Sequence, residues 1–197
     1  TKEEDFITIL ETASTHADLL YFSNRGKVYQ LKMHEIPEGK RATRGKSLAN
    51  FLSLADGERI TSVLVLPKSV KEQQGLSVMM VTKQGTAKRV SAESFKYVRG
   101  SGIIAIKLSA SLPAGKAGDE LLSTSFTEKG DSIVIATSGG QSIRFKESDI
   151  REMGRTAGGV RAIKLKKGDV VIGASRVKKP ARPSGGEDAM ARFLVMS

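Results

Sequence analysis

The sequence predicts an all-β protein, a propeller-like array of four-stranded blades of which about three to four lie in this chain. Two observations carry this prediction. A block of apolar runs and glycine turns recurs three times along the 197 residues, at a period of 59 and then 55 residues. In addition, no stretch shows a convincing apolar repeat at 3.6-residue spacing, so helix is expected only as single turns at 91–97 and 146–152.

Each repeat opens with a predicted β-hairpin. An apolar run is followed by Ser or Thr, two further residues, a glycine and a second apolar run, with the glycines at Gly26, Gly85 and Gly140. Glycine supplies the positive φ that a tight turn needs, and β-branched residues on both sides favour strands. The three hairpin segments are Leu20–Tyr29, Met79–Val90 and Val134–Phe145.

Two more strands complete each predicted blade. The third strand follows an arginine- and glycine-containing segment, at Ala49–Leu52, Ala105–Leu108 and Ala162–Leu165. A glycine–acid turn separates it from the fourth strand, at Ile60–Leu66, Leu121–Phe126 and Val170–Val177. Each repeat therefore reads as four short strands joined by glycine turns.

The repeats define one domain over residues 1–197. The repeat units span approximately 14–66, 76–127 and 131–177, with partial strands at 5–13 and 190–197 and a Pro/Gly/Ser-rich loop at 178–188. Because both ends fall in the middle of a repeat, we expect this chain to be a fragment of a longer array.

Composition excludes several classes of protein. The chain has no cysteine and only two histidines, which excludes disulfide scaffolds, thiolate metal sites and cysteine nucleophiles and favours a reducing, intracellular location. No apolar run reaches the roughly 18 residues that a membrane span needs. No phosphate-binding loop motif or metal-spaced histidine pair occurs, so we expect neither an active site nor a cofactor in this chain.

The positive charge follows the repeats. The chain carries 32 basic and 21 acidic residues, a net charge of +11. The windows 25–52, 84–108 and 139–165 carry +5, +4 and +3, which leaves −1 for the remaining residues. Charge that only kept the surface soluble would have no reason to repeat with the structure. We therefore predict a continuous basic rim that binds the phosphates of an anionic partner, duplex DNA above all.

We call the predicted DNA-binding residues the basic belt. They are Arg41, Arg44, Lys46, Lys88, Arg89, Arg99, Lys107, Arg144, Arg155, Arg161 and Lys164. Aromatic residues make up only 5% of the chain and tryptophan is absent, which disfavours single strands that need stacking platforms. Nothing predicts a recognition helix, so sequence-neutral binding through the DNA backbone is the better fit.

Several motifs, in order, resemble the C-terminal, DNA-wrapping domain of DNA gyrase A. They are residues 1–7, the hairpin Phe22–Tyr29, Ile36-Pro37-Glu38 with Arg41 and Arg44-Gly45, and Gly154–Leu165 with Gly168-Asp169. The resemblance covers essentially the whole chain, and the pattern is specific to this family and its topoisomerase IV relative. It implies a β-pinwheel, a ring of about six blades that exchange strands between neighbours, with DNA wrapped around a basic perimeter.

The resemblance also implies partners and a setting. These are DNA gyrase B and the remainder of gyrase A in an A2B2 holoenzyme, which uses ATP and Mg²⁺ outside this chain to introduce negative supercoils. The implied location is the bacterial cytoplasm, at the nucleoid and away from the membrane. Two other hypotheses remain open at this point: the topoisomerase IV counterpart, and a protein-interaction propeller, which would carry Trp-Asp signatures.

Overall fold

A computed structural model describes residues 9–40, 45–67, 74–109 and 118–179. In these residues the chain forms short β-strands and single turns of 3-10 helix. The strands are β1 (Asp18–Ser23), β2 (Lys27–Lys32), β3 (Ile60–Leu66), β4 (Ser77–Thr82), β5 (Thr86–Ser91), β6 (Ile103–Ile104), β7 (Leu121–Thr127), β8 (Ser132–Thr137), β9 (Ser142–Lys146), β10 (Val160–Arg161) and β11 (Val171–Val177). The helical turns are Met33–Glu35, Leu48–Asn50, Ala92–Phe95 and Glu147–Asp149.

The predicted all-β fold is confirmed. Each repeat unit contributes three strands to an antiparallel sheet, in the orders β3-β1-β2, β7-β4-β5 and β11-β8-β9. The hairpin strands predicted on either side of each glycine are present, and so are the last strands of all three units. The single helical turns expected at 91–97 and 146–152 are present as Ala92–Phe95 and Glu147–Asp149.

The fourth strand of a sheet comes from the next repeat unit. β6 of the second unit pairs with β2 of the first, and β10 of the third unit pairs with β5 of the second. The first two sheets therefore have four strands, whereas the third has three in the part of the chain that the structure describes. This is the strand exchange that the resemblance implies.

The predicted third strand is wrong in its position. The exchanged strands are Ile103–Ile104 and Val160–Arg161, which precede the predicted segments, and the first unit has the 3-10 turn Leu48–Asn50 there. The reason is a shared acceptor: the amides of Ala105 and Ile106 both donate to the carbonyl of Gly26, at 2.9 and 3.1 Å. Consecutive amides do not share one acceptor in an antiparallel ladder, so the strand pairing ends after two residues.

The predicted end segments fall mostly outside the structure. Residues 5–8 and 190–197 lie outside the described residues, as does the loop from residue 180 onward. Residues 9–13 are described and form no strand.

Two apolar cores join the three units. The first packs Phe22 of unit one against Phe95 of unit two, with ring centroids 5.7 Å apart and nearly perpendicular planes. The second core packs β4 and β5 against β8, with Ile133 and Ile135 at its centre. Every residue of β4 is buried because this strand lies between the two cores. The blades are thus fixed side by side, which fixes the spacing of the surface residues that they carry.

In the second and third units, an aspartate in the turn before the last strand accepts a hydrogen bond from the hairpin turn. Asp119 Oδ1 accepts the amide of Gln84 at 3.0 Å, and Asp169 Oδ1 accepts the amide of Gly139 at 2.7 Å. These acids belong to the glycine–acid turns of the sequence pattern. Hydrogen bonds from neighbouring hydroxyls and backbone amides lower the pKa of Asp169.

No helix in the described part of the chain is long and apolar enough to span a membrane.

Candidate nucleic-acid interface

The residues of the basic belt differ in how far the structure exposes their side chains. Arg41 and Arg44 lie outside the described residues. Six of the other nine have exposed side chains, Arg89 and Arg155 are half-buried, and Lys88 is buried. The exposed six are Lys46, Arg99, Lys107, Arg144, Arg161 and Lys164.

The exposed belt residues carry no ion pair within the described residues, and among the nine only Arg89 has one. Some cations outside the belt are neutralised instead: Glu120 Oε2 lies 2.7 Å from Arg59 and 2.6 Å from Lys83. The hydrogen bond from Lys83 is the main cause that lowers the pKa of Glu120. Belt cations are therefore available to an external anion, whereas Arg59 and Lys83 already have an internal one.

The exchanged segments place Lys107 and Lys164 at equivalent positions. Ile106 and Leu108 pack over Gly26, so the intervening Lys107 points to solvent. Ile163 and Leu165 pack over Gly85 in the same way, and Lys164 is exposed between them. The strand exchange thus presents one lysine per blade junction on the surface.

A basic pocket surrounds the second of these lysines. It has a volume of about 370 Å³, and its cationic lining is Arg161, Lys164, Lys166 and Lys167. Asp169 also lines it, and its Oδ1 accepts the Gly139 amide and the Ser138 hydroxyl of the hairpin turn. Sequence reasoning missed Lys166 and Lys167 because the repeated charge window ended at residue 165, although the run of alternating Lys and apolar residues continues past it.

A larger groove lies where the three units meet. Its volume is about 820 Å³, and Arg99, Arg155, Lys32 and Lys96 line it together with Asp18 and Glu35. Lys32 lies 3.3 Å from Asp18, so its charge is matched within the first unit. The structure brings Arg99 and Arg155 together although they are far apart in sequence. Lys32 and Lys96 lie inside the charged windows 25–52 and 84–108 but are not among the predicted belt residues, and only the packing of the units places them in one groove with Arg99 and Arg155.

The prediction that Lys88 projects to the perimeter is wrong. Its side chain is fully buried, and its ammonium donates to the carbonyl of Ala105 at 2.8 Å and to the carbonyl of Arg155. Burial, and secondarily the nearby Arg155 guanidinium, lower the pKa of Lys88 to about 8. The cause of the error is strand exchange, because a neighbouring unit covers the outward face of β5 at this position.

Arg89 also has an internal partner. Its guanidinium lies 3.6 Å from Oε1 of Glu147, whose side chain is only 5% exposed. The arginine side chain itself is 20% exposed. A buried carboxylate needs a partner, and Arg89 fills that role here.

The described residues contain no cluster of three or more His, Cys, Asp or Glu side chains that could hold a metal ion.

Comparison with known proteins identifies a family. The sequence model described as "DNA gyrase C-terminal domain, beta-propeller" matches residues 17–67, 77–111 and 131–178. The chain is 42% identical over 172 residues to the DNA gyrase A protein of Klebsiella oxytoca and 41% identical over 177 residues to that of Haloquadratum walsbyi. These alignments cover 87% and 89% of this chain but only 18% and 20% of the relatives, so the chain spans about a fifth of their length.

Solved structures agree with the fold. A structure of the DNA gyrase A C-terminal domain superposes with a TM-score of 0.64 at 25% identity, over 84% of this chain and 50% of the other. A crystal structure of the C-terminal domain of DNA topoisomerase IV superposes with a TM-score of 0.70 at 23% identity, over 84% of this chain and 48% of the other. At this identity the second likeness concerns the fold alone.

Proposed function

This chain belongs to the DNA gyrase C-terminal domain family, and from that membership we propose that it binds and wraps duplex DNA as part of a DNA gyrase A protein. One observation supports the proposal above the others. Cations that recur with the repeat, such as Lys107 and Lys164, are exposed and without an internal ion pair among the described residues.

Such cations suit a phosphate backbone. Each phosphate that a lysine or arginine neutralises releases condensed counterions, so the observed affinity falls with salt at a slope of about −0.9 per contact. A cation that already pairs with a carboxylate gains less from a phosphate, because it must first give up its partner. The exposed members of the belt avoid that cost.

The binding is sequence-neutral. A recognition helix would read bases in the major groove, and the longest helix in the described residues is the four-residue turn Ala92–Phe95. Phosphate contacts position a protein on DNA without reading its sequence. A rim of lysines and arginines therefore holds any duplex about equally.

In the enzyme that we propose, this chain contributes DNA geometry and the chemistry lies elsewhere. Strand breakage and ATP hydrolysis belong to the rest of gyrase A and to gyrase B, in an A2B2 assembly. ATP and Mg²⁺ serve those parts, and this chain uses no cofactor. The wrapped segment supports ATP-dependent negative supercoiling in the bacterial cytoplasm, at the nucleoid and without a membrane partner.

Gyrase is favoured over topoisomerase IV by sequence. The curated relatives named as DNA gyrase are about 40% identical to this chain, and the matching family model is that of the DNA gyrase C-terminal domain, whereas the likeness to the topoisomerase IV domain concerns the fold alone. A protein-interaction propeller has no comparable support, since the chain lacks tryptophan and its charge follows the repeat.

A salt titration of DNA affinity tests the proposal. A fluorescent 40-base-pair duplex is titrated with the native chain and with the triple variant Lys107→Gln, Arg161→Gln, Lys164→Gln at 50 to 200 mM salt. If all three residues contact phosphates, the slope of log affinity against log salt falls in magnitude by about 2.7, or 0.9 per contact.

The matched control removes the same charge from paired positions. The variant Arg59→Gln, Lys83→Gln, Arg176→Gln loses three cations that have carboxylate partners. It should keep a near-native slope. Native affinity that does not depend on salt would contradict DNA binding through phosphates, and equal slope changes in both variants would show that only net charge matters.

A further inference from the structure

We propose that the groove where the three units meet is a phosphate-binding site of the duplex path, and that buried Lys88 is the positioning residue that holds Arg155 at this groove. The inference rests on the proposed function, and it changes the role of one residue. Lys88 acts through the backbone of its neighbours and does not touch the DNA.

The groove brings unpaired cations from two units to one place. Lys96 and Arg99 come from the second unit and Arg155 from the third, and none of them has an ion pair within the described residues. The acids of the groove, Asp18 and Glu35, are engaged by the first unit: one with the Lys32 ammonium, the other with the Lys32 amide at 2.8 Å. The lining of the groove therefore carries a net excess of positive charge.

The groove is much larger than one phosphate group and has room for a stretch of the sugar-phosphate backbone. Its volume of about 820 Å³ is open to solvent, and β2 of the first unit forms its floor with Gln30 and Leu31. The Gln30 carboxamide oxygen accepts the Val98 amide at 3.0 Å, which fixes the segment that carries Lys96 and Arg99. Tyr97, 82% exposed, stands at the rim with the Lys96 ammonium 5.5 Å from its ring centroid.

Lys88 lies beneath the junction of two exchanged segments. The carbonyl of Ala105 belongs to the segment that the second unit gives to the first, and the carbonyl of Arg155 begins the segment that the third gives to the second. One ammonium thus ties both segments together. The amide of Lys107 also donates to the carbonyl of Ala157 at 3.2 Å, so the two segments touch directly beside the lysine.

The other units show that this position can be filled without a cation. Counted from the hairpin glycine, Lys88 corresponds to Tyr29 in the first unit and to Ile143 in the third. Tyr29 donates its hydroxyl to the Glu58 carboxylate at 3.0 Å instead of to an exchanged carbonyl. A lysine at position 88 is therefore not a requirement of the hairpin, and its two carbonyl partners point to a local task at this junction.

The test is a double-mutant cycle on duplex affinity, with the full chain and a 40-base-pair duplex at 100 mM salt. Arg155→Gln should weaken binding about eightfold, the loss expected when one contact with a salt slope of 0.9 disappears. Lys88→Met, which keeps the length and packing of the side chain and removes its donors, should weaken binding between about twofold and eightfold. Combined with Arg155→Gln, it should add less than about twofold, since both changes act on the same contact.

Two controls separate positioning from general damage. Arg144→Gln removes an exposed cation on β9, away from the groove, and should combine additively with Lys88→Met. Far-UV circular dichroism verifies that each variant is folded. If Lys88→Met does not fold, Lys88→Tyr, which introduces the residue that the first unit has at this position, replaces it in the cycle.

A measurement on the native chain gives a second, independent readout. The Nε–Hε resonances of Arg99 and Arg155 should shift when the duplex is added, while inorganic phosphate at the same phosphate concentration should shift them less. Unmoved resonances at saturation, or Lys88→Met effects that add fully to those of Arg155→Gln, would overturn the inference. If the native chain binds the duplex and only Arg144→Gln weakens that binding, the inference about the groove fails and the proposed function stands. If the native chain does not bind the duplex, the proposed function and the inference both fail.

Discussion

Lys88 is the residue whose environment differs most from what its type suggests. Burial lowers its pKa to about 8 in the folded chain, against about 10.4 in an unfolded one. Between these values the unfolded state binds more protons than the folded state. The free energy of unfolding should therefore rise as pH increases from about 8 to about 10.

The Lys88→Met variant isolates that effect. The free energy of unfolding is measured with denaturant at pH 7.5, 8.5 and 9.5 for the native chain and for Lys88→Met. As the pH rises, the native chain should become more stable relative to the variant. Arg155 is the charged neighbour that also depresses this pKa, so Arg155→Gln should reduce the pH dependence without abolishing it. A difference that stays constant across these pH values would contradict a depressed pKa at Lys88.

A second residue-scale prediction concerns Tyr29 and Glu58, both buried in the first unit. Burial would raise the pKa of Glu58, but hydrogen bonds from Ser23, the Ala55 amide and Tyr29 outweigh it and lower the pKa. Stability from this carboxylate is present above its unfolded pKa and is lost as pH falls through the folded value.

Tyr29→Phe removes one of these donors and keeps the ring. We expect a loss of about 1–3 kcal/mol in unfolding free energy at pH 7, because a buried carboxylate loses a hydrogen bond. The loss should shrink as the pH falls from 7 to 3, because the carboxylate whose pKa this hydrogen bond lowers begins to take up a proton. Urea unfolding at both pH values measures it, and an equal loss at the two would show that packing alone is affected.

At the scale of the element, the strand exchange makes equivalent glycines unequal. Gly85 and Gly140 both hold the hairpin turn at positive φ, +79° and +75°. A Cβ at Gly85 would lie 2.7 Å from Ile163 Cγ2 and 3.0 Å from its carbonyl oxygen, whereas a Cβ at Gly140 has no described atom within 4 Å.

Substituting alanine at each glycine separates the cost of backbone strain from the cost of displacing the exchanged segment. Gly140→Ala should cost only the left-handed conformation, about 1–2 kcal/mol. Gly85→Ala should cost more, because the segment around Ile163 must move away from the hairpin. Thermal and urea unfolding of both variants gives the comparison, and equal losses would mean that the contact with Ile163 contributes nothing to stability.

At the scale of the whole molecule, regular blades should impose a bend. Bending a 20–30 base-pair site by 40–90° costs on the order of 1–6 kcal/mol, which successive phosphate contacts on neighbouring units can offset. We therefore expect this chain to bend DNA, with less total wrap than an array of more blades. Energy transfer between dyes at the ends of a 40-base-pair duplex should rise on binding, whereas unchanged transfer at saturation would indicate straight DNA on the rim.

Much of the fold could be predicted from the sequence because it depends on local chemistry. The hairpin glycines at 26, 85 and 140 need positive φ wherever they occur, and the apolar runs beside them bury one or both faces of a strand. The last strand of each unit was predicted almost residue for residue for the same reason. Charge that repeats with these elements predicted the basic belt, of which Lys107, Arg161 and Lys164 are exposed in the structure.

What the sequence did not determine depends on contacts between units. Lys88 and Lys107 are both lysines beside apolar residues, yet one is buried and the other exposed. The segment exchanged from the third unit covers β5 at Lys88, whereas Lys107 lies on the outer side of the segment that the second unit gives to the first. The meeting of Arg99 and Arg155 in one groove likewise follows from which strand crosses to which sheet. Local spacing determines the turns and strands of each blade, but only packing between neighbouring blades decides which cations face the solvent.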